Sequence, residues 1–237
     1  MKLTSYERTG FRAALTVFLG PMCTGKTMSL IKEIHKLASV GNPCLVLKHN
    51  ADTRYTKEPK IIAHNNACLT GTELIHVHYF NSDTVRGWLQ EKESFRNYHV
   101  IAMDEAHLLA INGREEHTLL ASLAQYIVCT LNKTFVITAL DRWYTGSPIK
   151  IIENLLTMVK PDKIKYLNGI CKKCKSERGI FTCKMTQKPF LYCSEDIPKK
   201  EEEYIAIGGT ELYEVLCRNC FFKFSKQELI DEEKNNN

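Results

Sequence analysis

Apolar and polar positions along the chain alternate between two textures. "LTVFLG" (15–20) is a short continuous apolar run, as expected of a strand buried on both faces. The stretch after it, "TMSLIKEIHKLASV", puts Met28, Ile31, Ile34 and Ala38 on one helical face, and Gly41 ends that helix. The alternation then repeats. "CLVLK" (44–48) reads as a strand, "HNADTRYTKEPK" as a polar loop and "VRGWLQEKE" as a helix. "YHVIAMDE" (98–105) is again a strand, "REEHTLLASLAQYIV" a helix and "TFVITAL" (134–140) a buried strand. This order predicts an α/β fold with a parallel sheet, helices on both its faces, and ligands at the carboxyl ends of its strands. From about Lys165 the texture changes to turns, paired cysteines, "PKKEEE" and "GG". The expected organisation is an α/β domain over 1–165 and a small second module over 166–224. The polar end, "KQELIDEEKNNN", predicts a disordered tail over 225–237.

Composition adds limits. A chain of 237 residues suits one α/β domain and a module, and its apolar (44%) and charged (25%) fractions are ordinary for a soluble protein. The net charge of +5 is scattered, which favours anionic ligands only mildly and is weak evidence for a nucleic-acid surface; with "PKKEEE" cancelling part of "CKKCK", nucleic-acid binding is not expected. No apolar run has the length of a membrane span. The one behind Lys2, Arg8 and Arg12 leads into a glycine-rich loop, not a cleavage site. A cytoplasmic protein without a membrane partner is expected. Ten cysteines in that setting indicate metal or buried thiols in place of disulfides. Cys23, Cys44, Cys68 and Cys129 stand singly, whereas Cys171, Cys174, Cys183, Cys193, Cys217 and Cys220 crowd the last third.

Three constellations carry chemistry. "GPMCTGKT" (Gly20, Pro21, Met22, Cys23, Thr24, Gly25, Lys26, Thr27) matches the phosphate-loop pattern between a strand and a helix. Its glycines let backbone N–H groups face phosphate oxygens, Lys26 would reach the β- and γ-phosphates, and the Thr27 hydroxyl would ligate Mg²⁺. The motif specifies a nucleoside triphosphate, not a reaction. "VIAMDEAHLL" ends a strand in Asp104, positioned to hold Mg²⁺, and Glu105, positioned as a general base. "DEAH" is also a helicase box, but the residues after Glu105 cannot supply a second domain of roughly 100–200 residues beside the cysteine module. Cys171-Lys-Lys-Cys174 and Cys217-Arg-Asn-Cys220 are two knuckles suited to tetrahedral structural zinc, pinning the intervening segment at its base. Cys183 and Cys193 are alternative ligands or free thiols. On the return leg, Gly208-Gly209 permits close backbone approach to a ligand, and Tyr213 can pack on a flat ring.

Taken in order, "LGPMCTGKT", "CLVLKHNADTRY", "MDEAHLL", "ITALD", the cysteine pairs and "IGGTELYEVLCRNC" resemble the zinc-containing type II thymidine kinases of cells and DNA viruses. The resemblance runs from about Val17 to Phe224. It implies a RecA-like P-loop sheet, a zinc module carrying a nucleoside-binding lasso loop, and transfer of the γ-phosphate of ATP to the 5′-hydroxyl of thymidine, with deoxyuridine a possible second acceptor. It puts the base at Glu105, the Mg²⁺ ligands at Thr27 and Asp104, and a phosphate-side arginine at Arg54. Thymine would meet Thr182, Ala206, Ile207 and Tyr213, with Met22, Leu140 and Tyr144 as an apolar wall. A homotetramer is also implied. The chain departs from the family pattern at Ala106-His107, Leu108 and Ile149. A nucleotide-binding regulator without thymidine-dependent turnover is the alternative.

Overall fold

The computed structural model describes residues 12–91, 93–112, 117–184 and 212–224. In chain order these form β1 (Leu15–Leu19), α1 (Lys26–Ser39), β2 (Cys44–His49), a short hairpin of β3 (Ile61–Ile62) and β4 (Cys68–Leu69), and β5 (Ile75–Phe80). There follow α2 (Ser82–Gln90), β6 (Val100–Met103), a 3₁₀ segment (Ala106–Asn112), and α3 (Leu119–Gln125), which continues as a π-helical turn (Tyr126–Thr130). Next come β7 (Thr134–Ala139), α4 (Lys150–Met158), β8 (Lys163–Tyr166), β9 (Gly179–Lys184) and β10 (Tyr213–Cys217).

Six strands build the main sheet in the order β5-β2-β6-β7-β1-β8. Every neighbouring pair is parallel. The period of two along a strand decides which layer each side chain joins. Leu15, Val17, Leu19, Leu45, Leu47, Ile101, Met103, Phe135 and Ile137 face the layer of α2, α3 and α4. The alternate residues Phe18, Cys44, Val46, Val100, Ala102 and Val136 face α1 and the hairpin. Helix α1 meets them with Leu30, Ile31, Ile34 and Ala38, while Met28 packs at the edge of the same cluster. The doubly covered parallel sheet expected from the sequence is therefore present. Its RecA-like feature is β7, interposed between the phosphate-loop strand β1 and the acidic strand β6.

Several elements lie outside the sequence reading. β5 and β8 are the sheet's edges; β8 is exposed along its length and carries Lys163 and Lys165, which suit an unpaired edge. Helix α2 starts earlier than its apolar residues suggest, because Asn81 and Thr84 form a reciprocal capping box before it. The last elements fold as an antiparallel pair, β9 with β10, over a small core of Phe181, Cys183, Leu216 and Phe221. Phe181 and Phe221 stack there with ring centroids 4.3 Å apart. The segment that leads from β8 to this unit passes closely over Gly20. A Cβ on Gly20 would stand 2.2 Å from the Leu167 carbonyl oxygen, and its φ is +145°, so glycine is required.

Candidate active site

The turn from β1 into α1 is shaped by left-handed backbone at Cys23 (φ 57°) and Gly25 (φ 83°). Gly25 precedes α1 without a side-chain cap, so the positive end of the helix is left open to an anion. The Lys26 ammonium is buried in the turn and donates to the Pro21 carbonyl at 2.6 Å. Burial lowers its pKa against the opposing pull of Glu105 and Asp104. The Thr27 hydroxyl donates to Asp104 Oδ1 at 3.3 Å, joining α1 to the end of β6.

Asp104 and Glu105 are both buried, yet their surroundings drive them apart. For Asp104, burial and then the neighbouring Glu105 charge raise the pKa. Burial also acts upward on Glu105, but Arg54, His107 and Lys26 outweigh it and bring its pKa down. Arg54 donates from Nη2 to Glu105 Oε1 at 2.7 Å, and from Nε and Nη2 to the Asp52 carboxylate at 2.7 and 3.0 Å. Burial disfavours the guanidinium charge, but Glu105 and then Asp52 more than offset this, so it is held firmly protonated. The other Glu105 oxygen, Oε2, lies 3.4 Å from His107 Nδ1, which accepts the Leu140 N–H at 3.3 Å. Thr138 on β7 completes the array. Its hydroxyl donates to Asp104 Oδ1 and accepts the Glu105 N–H at 3.1 Å. Glu105 itself has φ 52°, a strained value for a residue with a side chain.

Lys26, Thr27, Arg54 and Glu105 border a cavity of about 260 Å³, closed by the rest of the phosphate loop, Tyr55 and the β3–β4 hairpin at 62–65. Toward β9 and β10, the Met22 N–H donates to Thr182 Oγ1 at 3.0 Å. Tyr144 and Tyr213 are buried in one cluster, with Met22 and Leu140 packed against it. Met22 joins the two sets: it borders the cavity with Lys26, Thr27, Arg54 and Glu105, bonds Thr182 through its N–H, and packs on the core cluster that includes Tyr144 and Tyr213. Ala206, Ile207, Gly208, Gly209 and Cys193 lie outside the described residues, as does the expected tail over 225–237. Asp52, His107 and Thr138 were not singled out as site residues from the sequence. Only Asp52 had a signal there, two residues before Arg54.

The sulfurs of Cys171, Cys174, Cys217 and Cys220 lie within 4.8 Å of one another. Ser176 draws the Cys174 thiol down to about 6, while burial and its sulfur neighbours push Cys220 up to about 12. Four thiolates this close are favourable only around a cation, so the donor set fits structural zinc. Cys183 is buried in the module core, outside this cluster.

The thymidine kinase family model matches residues 13–221. A thymidine kinase of Amsacta moorei entomopoxvirus is 27% identical over 88% of this chain and 97% of its own. The cytosolic thymidine kinase of Gallus gallus is 24% identical over 95% of this chain and 84% of its own. Among solved structures, the flagellar accessory protein FlaH from Methanocaldococcus jannaschii superposes with a TM-score of 0.41 at 12% identity, over 62% of this chain and 68% of that one.

Proposed function

The chain belongs to the thymidine kinase family and phosphorylates thymidine; on that premise we propose how its own residues do so. The donor is ATP, its phosphates lying along Gly20–Thr27 with Lys26 turning from the Pro21 carbonyl to the β- and γ-phosphates. Thr27 and Asp104, already 3.3 Å apart, would hold Mg²⁺. That ion supplies charge neutralisation on the phosphate oxygens. The 5′-hydroxyl oxygen attacks the γ-phosphorus, its proton passes to Glu105, and the bond to the β–γ bridging oxygen breaks to release ADP. Oε2 of Glu105 is the accepting atom, because Oε1 is occupied by Arg54. Arg54, held by Asp52, offsets charge on the transferring group.

The observation that carries this reading is the buried Glu105 carboxylate, held by Arg54 at the rim of the phosphate-loop cavity. Thymidine lies against Met22, Leu140, Tyr144, Thr182 and Tyr213, and Ala206, Ile207, Gly208 and Gly209 are assigned to base recognition with them. The α/β unit to about residue 165 binds ATP, and the module over 166–224 binds the nucleoside and zinc. Deoxyuridine is a weaker acceptor, since one methyl group in an apolar pocket is worth only ~1–3 kcal/mol. The working form is a cytoplasmic homotetramer. Among the described residues no helix is long and apolar enough to cross a membrane.

Transfer of label from γ-labelled ATP to a panel of deoxynucleosides tests this proposal. Thymidine is expected first, deoxyuridine moderately weaker and deoxycytidine poor. Efficient transfer to deoxycytidine or a purine nucleoside would overturn the base selectivity, and transfer that needs no Mg²⁺ would overturn the Thr27–Asp104 assignment.

A further inference from the structure

The arginine that reaches Glu105 stands on a loop with little packing to hold it. Among residues 51–60 only Asp52 is buried, and the loop has no regular secondary structure. At its start Asp52 donates its N–H to the His49 carbonyl at 2.9 Å. At its far end three consecutive carbonyls are gripped by two side chains. Lys48 donates from Nζ to the Thr56 oxygen at 2.7 Å and the Glu58 oxygen at 3.3 Å. The Tyr79 hydroxyl donates to the oxygen between them, that of Lys57. Lys48 on β2 and Tyr79 on β5 are direct partners in the parallel register, so both reach the loop from one rung of the sheet.

Lys48 is 5% exposed, and burying an ammonium group there costs far more than burying a leucine would. Its several donors can serve two carbonyls at once, which an apolar side chain cannot do. Regular structure supplies the partners of most backbone carbonyls; here side chains supply them for a loop without regular structure, and only the Glu58 oxygen has a backbone partner as well, the Lys60 N–H at 2.7 Å.

We propose that Lys48 and Tyr79 form a carbonyl clamp that sets the height of the 52–58 loop and so positions Arg54 against Glu105 and the transferring phosphate. Both are positioning residues, acting through Arg54. The clamp rests on the reading of Arg54 given above. A shift of about 1 Å in such a group is enough to cost turnover on the order of 100-fold.

A kinetic double-mutant cycle tests the clamp in the full-length enzyme. Tyr79→Phe removes one hydroxyl from a residue 38% exposed, so the fold should be retained with the thermal midpoint lowered by no more than one hydrogen bond is worth. It should lower kcat about 3- to 10-fold, the worth of one hydrogen bond, with KM for thymidine unchanged. Lys48→Met should lower kcat roughly 10- to 100-fold, as expected for bonds from a charged donor. In an Arg54→Ala background, Tyr79→Phe should change kcat by less than about twofold, because the group it positions is gone. Equal losses with and without Arg54 would overturn the clamp, as would full turnover in Tyr79→Phe. Wild-type kcat in Arg54→Ala alone would overturn the role of Arg54 itself, and the clamp with it.

Discussion

Glu105 combines a left-handed backbone, burial and a direct ion pair with Arg54 in one residue. Its strain is held by the N–H bond to Thr138 and by the Arg54 ion pair, so the side chain is fixed before substrate arrives. Glu105→Gln should keep ATP and thymidine binding and lose roughly 10²- to 10⁴-fold in kcat. Equilibrium binding beside turnover checks this, and near-normal kcat would remove Glu105 as the base. Gly20→Ala should be worse tolerated, failing in stability and activity together, since the Leu167 carbonyl occupies the place of the new methyl. A melt close to that of the parent protein would contradict that account. At this scale the sequence was informative where spacing along the chain sets spacing in space. Gly20, Lys26 and Thr27 belong to one turn, and Asp104 ends one strand. Thr138 and His107 were not legible as partners, because strand order alone brings Thr138 to Asp104 and Leu140 to His107.

The helices and central strands were readable because their apolar periods are long and unbroken, as in α1 and the fully buried β2. The edges were not. β8 reads "KIKY" and is exposed at every position, so no burial pattern marks it as a strand; its partner β1 does that from a distant part of the chain. The β3–β4 hairpin has two residues per strand, too few to show any alternation. In the C-terminal pair the cysteine spacing stood out where hydrophobicity did not. Metal analysis should find about one zinc per chain, lost in Cys217→Ser and kept in Cys183→Ser, since the Cys183 thiol points into the Phe181–Phe221 core. Chelation should loosen β9 against β10 and raise KM for thymidine more than for ATP. An unchanged KM for thymidine after zinc removal would separate the metal from the nucleoside site.

Across the whole molecule, two buried histidines weaken the fold on mild acidification, opposed by Asp104, whose raised pKa lets the folded state take up a proton in the same window. Burial first of all pushes both His49 and His107 down to about 4. Between that value and the ordinary histidine pKa of about 6.5 these two groups hold more protons in the unfolded chain than in the folded one, so their contribution to stability rises with pH in this window. It is fully present above about 6.5 and drains as pH falls toward 4, by roughly 2 kcal/mol per histidine at pH 5. Urea unfolding at pH 7.5, 6 and 5 measures the slope; relative to the parent, His49→Gln should gain stability as pH falls, and a difference between the two proteins that does not change with pH would refute the linkage. The position of β7 has a consequence in time as well as in space. The phosphate loop and the acidic strand are made early, yet they are not neighbours in the sheet, and the strand that bridges them is made later. A chain still on the ribosome, synthesised only through α3, already carries Lys26, Arg54, Asp104 and Glu105 but has a one-strand gap between the two halves of the site. Nucleotide should therefore protect nascent chains from protease only once residues 134–139 have left the exit tunnel, so during its own synthesis the enzyme stays blind to its substrate until the centre of the sheet is filled.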